Sequence, residues 1–151
     1  LSKAIEDKLV ETILSDISAS VDNPKGIFNN VEDVTSISNI LTMQNELDKL
    51  KGNNTFILST GAKNKIFSET KNYNIFDNGF LGNKAIFESR CKDNYFAYLD
   101  LSKLFVCQWG NYSITIDNIT NAANGLVDLY IEGYFDFAYA DDNFIKVGKF
   151  E

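Results

Sequence analysis

Residues 96–140 read FAYLDLSKLFVCQWGNYSITIDNITNAANGLVDLYIEGYFDFAYA. Within this stretch Phe96 to Leu99 and Leu104 to Trp109 are short apolar runs. In Ser113 to Asp117, Ile114 and Ile116 alternate with Thr115 and Asp117, the two-residue period of a half-buried strand. Asn124-Gly125 is a turn signal, because both residues tolerate positive φ. The longest strand pattern follows, with Leu126, Asp128, Tyr130 and Glu132 opposing Val127, Leu129, Ile131 and Gly133. Gly133 predicts a bulge or bend in that strand. Cys107 sits inside LFVCQW, and a thiol in such a run is expected to be a buried, structural one. A disulfide to Cys91 remains possible, but nothing points to an oxidising compartment.

Aromatic residues concentrate here, and alternation separates Tyr130 and Tyr134 from Phe135 and Phe137. A long strand with aromatics on both faces leaves two readings open. Either both faces are covered, the second by another segment or a neighbouring subunit, or a helix covers one face and the other is exposed.

Working outward, the beginning of the chain is helical. Ile5, Leu9, Ile13, Ile17 and Val21 recur every four residues, with Val10 and Leu14 alongside. Ser2 is the expected cap, and Asp22-Asn23-Pro24-Lys25-Gly26 breaks the pattern. Ile37, Ile40, Leu41, Gln44, Leu47 and Leu50 predict a second helix, capped by Ser36 or Ser38 and ended by Gly52 in the left-handed conformation. Residues 54–59 read as a buried strand. Residues 61–69 read as a short helix capped by Ser59 or Thr60, with Ala62, Ile66 and Phe67 inward. Asp77-Asn78-Gly79 and Asp93-Asn94 mark turns around a strand at residues 84–89. Helices come first, strands dominate later, and no strand–helix unit repeats. The class is α+β with a mostly antiparallel sheet.

The composition removes most chemistry. A chain of 151 residues is long enough to bury one core without a staple. It has no histidine, so it carries neither a Ser-His-Asp triad nor an imidazole metal ligand. With 21 acidic against 14 basic residues the net charge is -7, which argues against a face that binds nucleic acid specifically. No apolar run approaches the ~20 residues of a membrane span. Asp141-Asp142-Asn143 and Asp22-Asn23 lack the spacing of a calcium loop and read as solvated turns. The sequons at Asn53, Asn111 and Asn118 are expected by chance in so Asn-rich a chain. No catalytic, cofactor or metal constellation stands above background. A small enzyme or ligand-binding module using a carboxylate pair stays open as an alternative.

The order of segments resembles the C-terminal part of tailed-bacteriophage major capsid proteins, the Hong Kong phage capsid fold. The residues that carry the resemblance are Leu99-Asp100-Leu101-Ser102, Trp109-Gly110, Ile114 to Asp117, Thr120, Ala122, Gly125, Asp136, Ala138 and Phe144. Upstream, Asn23-Pro24-Lys25-Gly26-Ile27 resembles the turn after the family's spine helix. Phe56 to Ser59 resembles its strand-and-helix phrase, and Ile75 to Gly79 with Gly82 its hairpin. Asn111 stands where the family has a second glycine, and two family prolines are absent.

The resemblance implies a spine helix and long strand in a peripheral part, residues 1–36 and 126–151. It implies a mixed-sheet axial domain flanked by helices at residues 37–125. It implies a non-enzymatic shell protein, a phage or prophage capsid subunit that self-assembles into an icosahedral head around DNA, with an encapsulin-like compartment shell as the runner-up. Partners would be other copies of the subunit in pentamers and hexamers, with scaffold or portal proteins possible, and no membrane. Its place would be the virion, assembled in the bacterial host cytoplasm. Leu126, Leu129, Tyr130, Tyr134, Phe135 and Phe137 are the candidate subunit-interface residues. The chain begins at Leu1, with Met43 its only methionine, and the family's N-terminal arm and extended loop are expected to precede it.

Overall fold

The computed structural model describes residues 2–20, 24–72 and 74–151. Val21, the Asp22-Asn23 pair and the Ser2 side chain, each given a role above, lie outside what is described. In chain order the elements are helix α1 (Ser2–Ile13), strand β1 (Glu32–Val34), helix α2 (Ile37–Asp48), β2 (Asn54–Leu58), α3 (Thr60–Thr70), β3 (Lys84–Phe87), β4 (Tyr95–Asp100), β5 (Leu104–Asp117), β6 (Asp128–Tyr139) and β7 (Ile145–Phe150).

Five strands form one sheet in the order β1-β7-β4-β2-β3, and β5 with β6 forms a separate two-stranded ribbon. In the five-stranded sheet β4 is antiparallel to both β2 and β7, while the β2–β3 and β1–β7 pairs are parallel. The class is α+β as the sequence predicts, but this sheet is mixed rather than mostly antiparallel. The parallel β2–β3 pair arises because α3 carries the chain across the sheet between them.

Residues in β2 and β4 are buried along their whole length, because both faces of the sheet are covered. Phe56, Leu58, Phe96 and Tyr98 face a core with Ile40, Met43 and Leu47 of α2 and Ala62 and Ile66 of α3. Ile57, Tyr95, Ala97 and Leu99 face the other side, against Ile13, Leu14, Ile27 and Phe28. Cys91 is buried in this second core, and burial, with Glu88 and Asp93 nearby, pushes its thiol up to about 12.

Three helix ends differ from expectation. The apolar spacing carries α1 through Ile17, yet the helix stops at Ile13 and Ile17 is exposed. Backbone pairing explains the stop: the carbonyls of Ile13, Ser15 and Ile17 accept from the N–H groups of Ile27, Phe28 and Gly26. Gly26 is needed there, since a Cβ would strike the Ser15 carbonyl. Helix α2 begins after Ser36, whose side chain makes no cap bond; Glu69 accepts from the Ile37 N–H instead (3.0 Å). The left-handed residue beyond α2 is Lys51 (φ 57°), not Gly52. In α3 the cap is as expected, with the Ala62 N–H donating to Ser59 Oγ (3.1 Å).

Candidate assembly surface

The ribbon leaves the sheet at Asp100. One carboxylate oxygen accepts from the Ser102 N–H (3.0 Å) and hydroxyl (2.7 Å), and the other from the Asn53 N–H (3.3 Å). The Ser102 hydroxyl holds the Asp100 carboxyl below the usual range, with burial working against it. At the same point the Tyr139 hydroxyl donates to the Asp100 carbonyl (2.7 Å), and the Ala140 N–H donates to the Lys103 carbonyl (2.9 Å). Burial, with the Asp100 charge, pushes the Tyr139 phenol up. These bonds clamp the ends of β5 and β6 to the edge of the packed core. At the far end Asp117 caps the tip, accepting from the N–H groups of Ile119 (2.8 Å) and Thr120 (3.1 Å). The sequence reading missed both caps, although Asp followed two or three residues later by Ser or Thr signals them.

The two strand segments read as residues 104–109 and 113–117 are one strand, β5, with an irregularity between Trp109 and Ser113. Trp109 pairs with Tyr134 and Ser113 with Glu132, so residues 110–112 all stand opposite Gly133. The glycine marks the bulge as expected, but the extra residues belong to the partner strand. A Cβ on Gly133 would meet the Tyr112 ring at 2.9 Å, so the glycine makes room for that ring. Tyr112 then packs beside Phe135 (6.0 Å between centroids).

Register sorts the side chains onto two faces. One carries Leu104, Val106, Ile114 and Ile116 with Leu129, Ile131, Phe135, Phe137 and Tyr139. Its base belongs to the chain's own core: Phe137 is 6% exposed and packs with the Ile13–Phe28 cluster, so this candidate interface residue is already engaged within the chain. Further along, α1 lies over Ile131 and Phe135, leaving a groove of about 570 Å³ lined by Ile5, Lys8, Leu9 and Thr12. Beyond it Leu129, Ile114 and Ile116 are exposed, which corrects the half-buried reading of Ile114 and Ile116.

Nothing within the chain covers the opposite face among the described residues. Phe105, Cys107, Trp109, Tyr130 and Tyr134 share it, and Tyr134 is 68% exposed. The buried Cys107 of the sequence reading is thereby overturned: the apolar run around it is real, but no layer of the described residues lies against that face. Cys91 and Cys107 are both free thiols. Leu126 precedes β6 and is also exposed.

Sheet membership also cuts across the expected grouping of segments. Residues 104–117 pair with β6, while residues 145–150 return to the five-stranded sheet. Asp142 of the acidic turn is paired with Lys25 (2.8 Å), and Asp141 accepts from the Asn143 N–H (2.9 Å). Asp141 thereby caps the short 3-10 turn Asp142–Phe144. Among the described residues no three Cys, Asp or Glu side chains gather to hold a metal, and no helix is long and apolar enough to cross a membrane.

A model of the phage capsid family matches residues 1–150. Solved structures share the fold at low identity. The capsid of a native GTA particle is 15% identical with a TM-score of 0.67, covering 99% of this chain and 70% of that one. The Mycobacterium phage Bobi structure is 15% identical with a TM-score of 0.65, covering 98% and 61%. The satellite phage P4 procapsid is 12% identical with a TM-score of 0.66, covering 99% and 61%. A virus-like particle from Pyrococcus furiosus is 11% identical with a TM-score of 0.58, covering 97% and 61%. The chain thus spans about three fifths of the length of several of these subunits. No curated protein matches it by sequence.

Proposed function

Because this chain belongs to the phage capsid family, we propose that it is the shell-forming part of a phage or prophage major capsid subunit, which assembles with copies of itself into an icosahedral head enclosing DNA. The observation that carries the reading is the ribbon. It projects from a packed core with aromatic and aliphatic side chains bare on one whole face and on the outer half of the other. Such a surface marks a site of association. Its partners are other copies, arranged as pentamers and hexamers, and the role is structural rather than catalytic. Scaffold and portal proteins are further partners in this proposal. The site of action is the virion, after assembly in the host cytoplasm. The net charge of -7 suits a shell that does not grip the genome it encloses.

Leu126, Leu129, Tyr130, Tyr134 and Phe135 remain the proposed interface, with Trp109 and Phe105 added from the same ribbon. The proposal also divides the chain into a peripheral part, residues 1–36 and 126–151, and an axial part, residues 37–125. Sheet membership favours three changes to that division, moving residues 104–117 to the ribbon and residues 32–34 and 145–150 to the axial sheet.

The test is expression of the complete gene product that contains this chain, with shells scored by negative-stain microscopy. Closed shells are expected, and the double variant Trp109→Asp/Tyr134→Asp should lose them while keeping its far-UV circular dichroism. Undiminished shells from the double variant overturn the interface. A complete product that stays monomeric, with or without the neighbouring gene products, overturns the function.

A further inference from the structure

The open face of the ribbon carries a charge pattern as well as bare rings. Residues 104–139 hold four carboxylates, Asp117, Asp128, Glu132 and Asp136, and no lysine or arginine. All 14 basic residues lie elsewhere, so this quarter of the chain carries -4 of the net -7. Register puts all four carboxylates on the open face: Asp136 pairs with Cys107, Glu132 with Ser113, and Asp128 with Asp117. Tyr134 and Tyr130 fall between them, opposite Trp109 and Thr115. Along β6 this face therefore reads acid, ring, acid, ring, acid from Asp128 to Asp136. Glu132 and Asp136 are exposed, and Asp128 is half-buried and accepts from the Asn121 amide (2.5 Å). No ion pair among the described residues includes any of the four.

The bare rings say that this face is covered by something, and the charge says by what. Two copies of the face do not suit each other, because stacking them sets carboxylates against carboxylates with no cation between. A cation suits it twice over. A lysine or arginine that reaches one of these carboxylates also stands beside a tyrosine ring, so ion pairing and cation–π attraction act on the same group. Its aliphatic stem can lie on Trp109 and Phe105 while the charged end stays at the acids. Spacing adds to this. Four residues of strand span about 13 Å, the repeat from Asp128 to Glu132 to Asp136. A second extended chain has the same repeat, whereas a helix offers same-face positions at about 10.5 or 16.5 Å.

We propose that the open face of the ribbon docks an extended, cationic polypeptide segment of another chain. Its lysines or arginines recur at every fourth residue and meet Asp128, Glu132 and Asp136; apolar side chains midway between them pack on Tyr130 and Tyr134. The proposal rests on the ribbon being an association surface and names what meets this face of it. The same face of a second copy is not the occupant.

Trp109 is the only tryptophan of the chain and stands on this face, 56% exposed, so its emission reports what covers it. The 151-residue chain is titrated with a peptide repeating Lys-Ser-Val-Ser, with a peptide of the same composition whose lysines are grouped at one end, and with one carrying Gln for Lys. The repeating peptide should shift the Trp109 emission to the blue, and roughly 0.5 M sodium chloride should weaken its binding several-fold. Asp128→Asn/Glu132→Gln/Asp136→Asn should weaken it about tenfold or more. Glu6→Gln/Asp77→Asn/Asp93→Asn removes the same charge from exposed positions outside the ribbon and should bind within about twofold of the parent. No shift, or equal binding by either control peptide or by the ribbon variant, overturns the proposal. So does a blue shift of the chain alone as its concentration rises, which would mean that the face pairs with itself. Shells from the complete gene product beside a titration without a shift would overturn this proposal and leave the capsid reading standing; a titration as expected without shells would do the reverse.

Discussion

The five-stranded sheet and the two-stranded ribbon are built from equally apolar strands and meet opposite fates. In β4 every residue is buried, and in β5 every residue but the two at its ends is exposed. Tyr98 is fully buried while Trp109, some ten residues further on, is 56% exposed. The difference lies in what stands above and below each strand. Strand β4 has α2 and α3 on one side and the Ile13–Phe28 cluster on the other. The ribbon has α1 over part of one face and, among the described residues, nothing over the other. Stability of the isolated chain therefore resides in the sheet, and the ribbon holds surface in reserve for association.

That contrast can be broken most directly by truncating matched aromatics. Phe96→Ala removes a ring packed on Phe150 and Gly148, and should cost about 3–5 kcal/mol in urea unfolding. Trp109→Ala should change the same free energy by no more than about 0.5 kcal/mol. A Trp109→Ala cost near that of Phe96→Ala would mean the ribbon is packed in the monomer. Next in size, Gly148→Ala forces a methyl group into the Phe96 ring, where its Cβ would fall 2.5 Å from the nearest ring atom. Overpacking of this kind should cost about 1–3 kcal/mol. Gly110→Ala on the ribbon has open space, so it should show only the smaller strain of its positive φ (69°).

Removing the Ser59 cap from α3, as Ser59→Ala, should cost about 1 kcal/mol by the same unfolding measurement. The acid limb of stability should be the smallest effect. Asp100 has a folded pKa below its unfolded value of about 3.9. Its contribution is thus complete above that value and is lost as the pH falls through the folded pKa. Asp100→Asn should flatten the stability–pH curve below about pH 4 relative to the parent chain. Asp117→Asn, which removes a similarly lowered carboxyl at the ribbon tip, should leave that curve nearly unchanged if the tip contributes little to global unfolding. Amide hydrogen exchange sharpens the same contrast, with β5 and β6 exchanging through local opening and β2 and β4 only through global unfolding.

How much of this was legible varies by element. Strands β2 and β4, the Ser59 cap and the turn at Asn94 were readable, because each follows from local chemistry: continuous apolar runs, a hydroxyl ahead of a helix, an Asn at positive φ. The end of α1 was not, because the groups that take the carbonyls of Ile13, Ser15 and Ile17 lie at residues 26–28. The candidate surface was half legible. Alternation separated Tyr130 and Tyr134 from Phe135 and Phe137, as the register confirms. It gave no sign that Phe137 is buried within the chain or that Cys107 is bare, since an apolar strand looks the same whether its own chain or another covers it.

The sequence by itself determined the three helices and the strands from β2 to β6, though neither β1 nor β7, together with the acidic charge, the lack of histidine chemistry and the ordered phrases shared with phage capsid proteins. These depend on neighbours within a few positions, or on composition alone. The tertiary structure decided that β3 runs parallel to β2, that residues 145–150 enter the central sheet between β1 and β4, and that one face of the ribbon is left open among the described residues. Those outcomes depend on which layers meet across tens of residues, and periodicity carries no information about the partner on the far side.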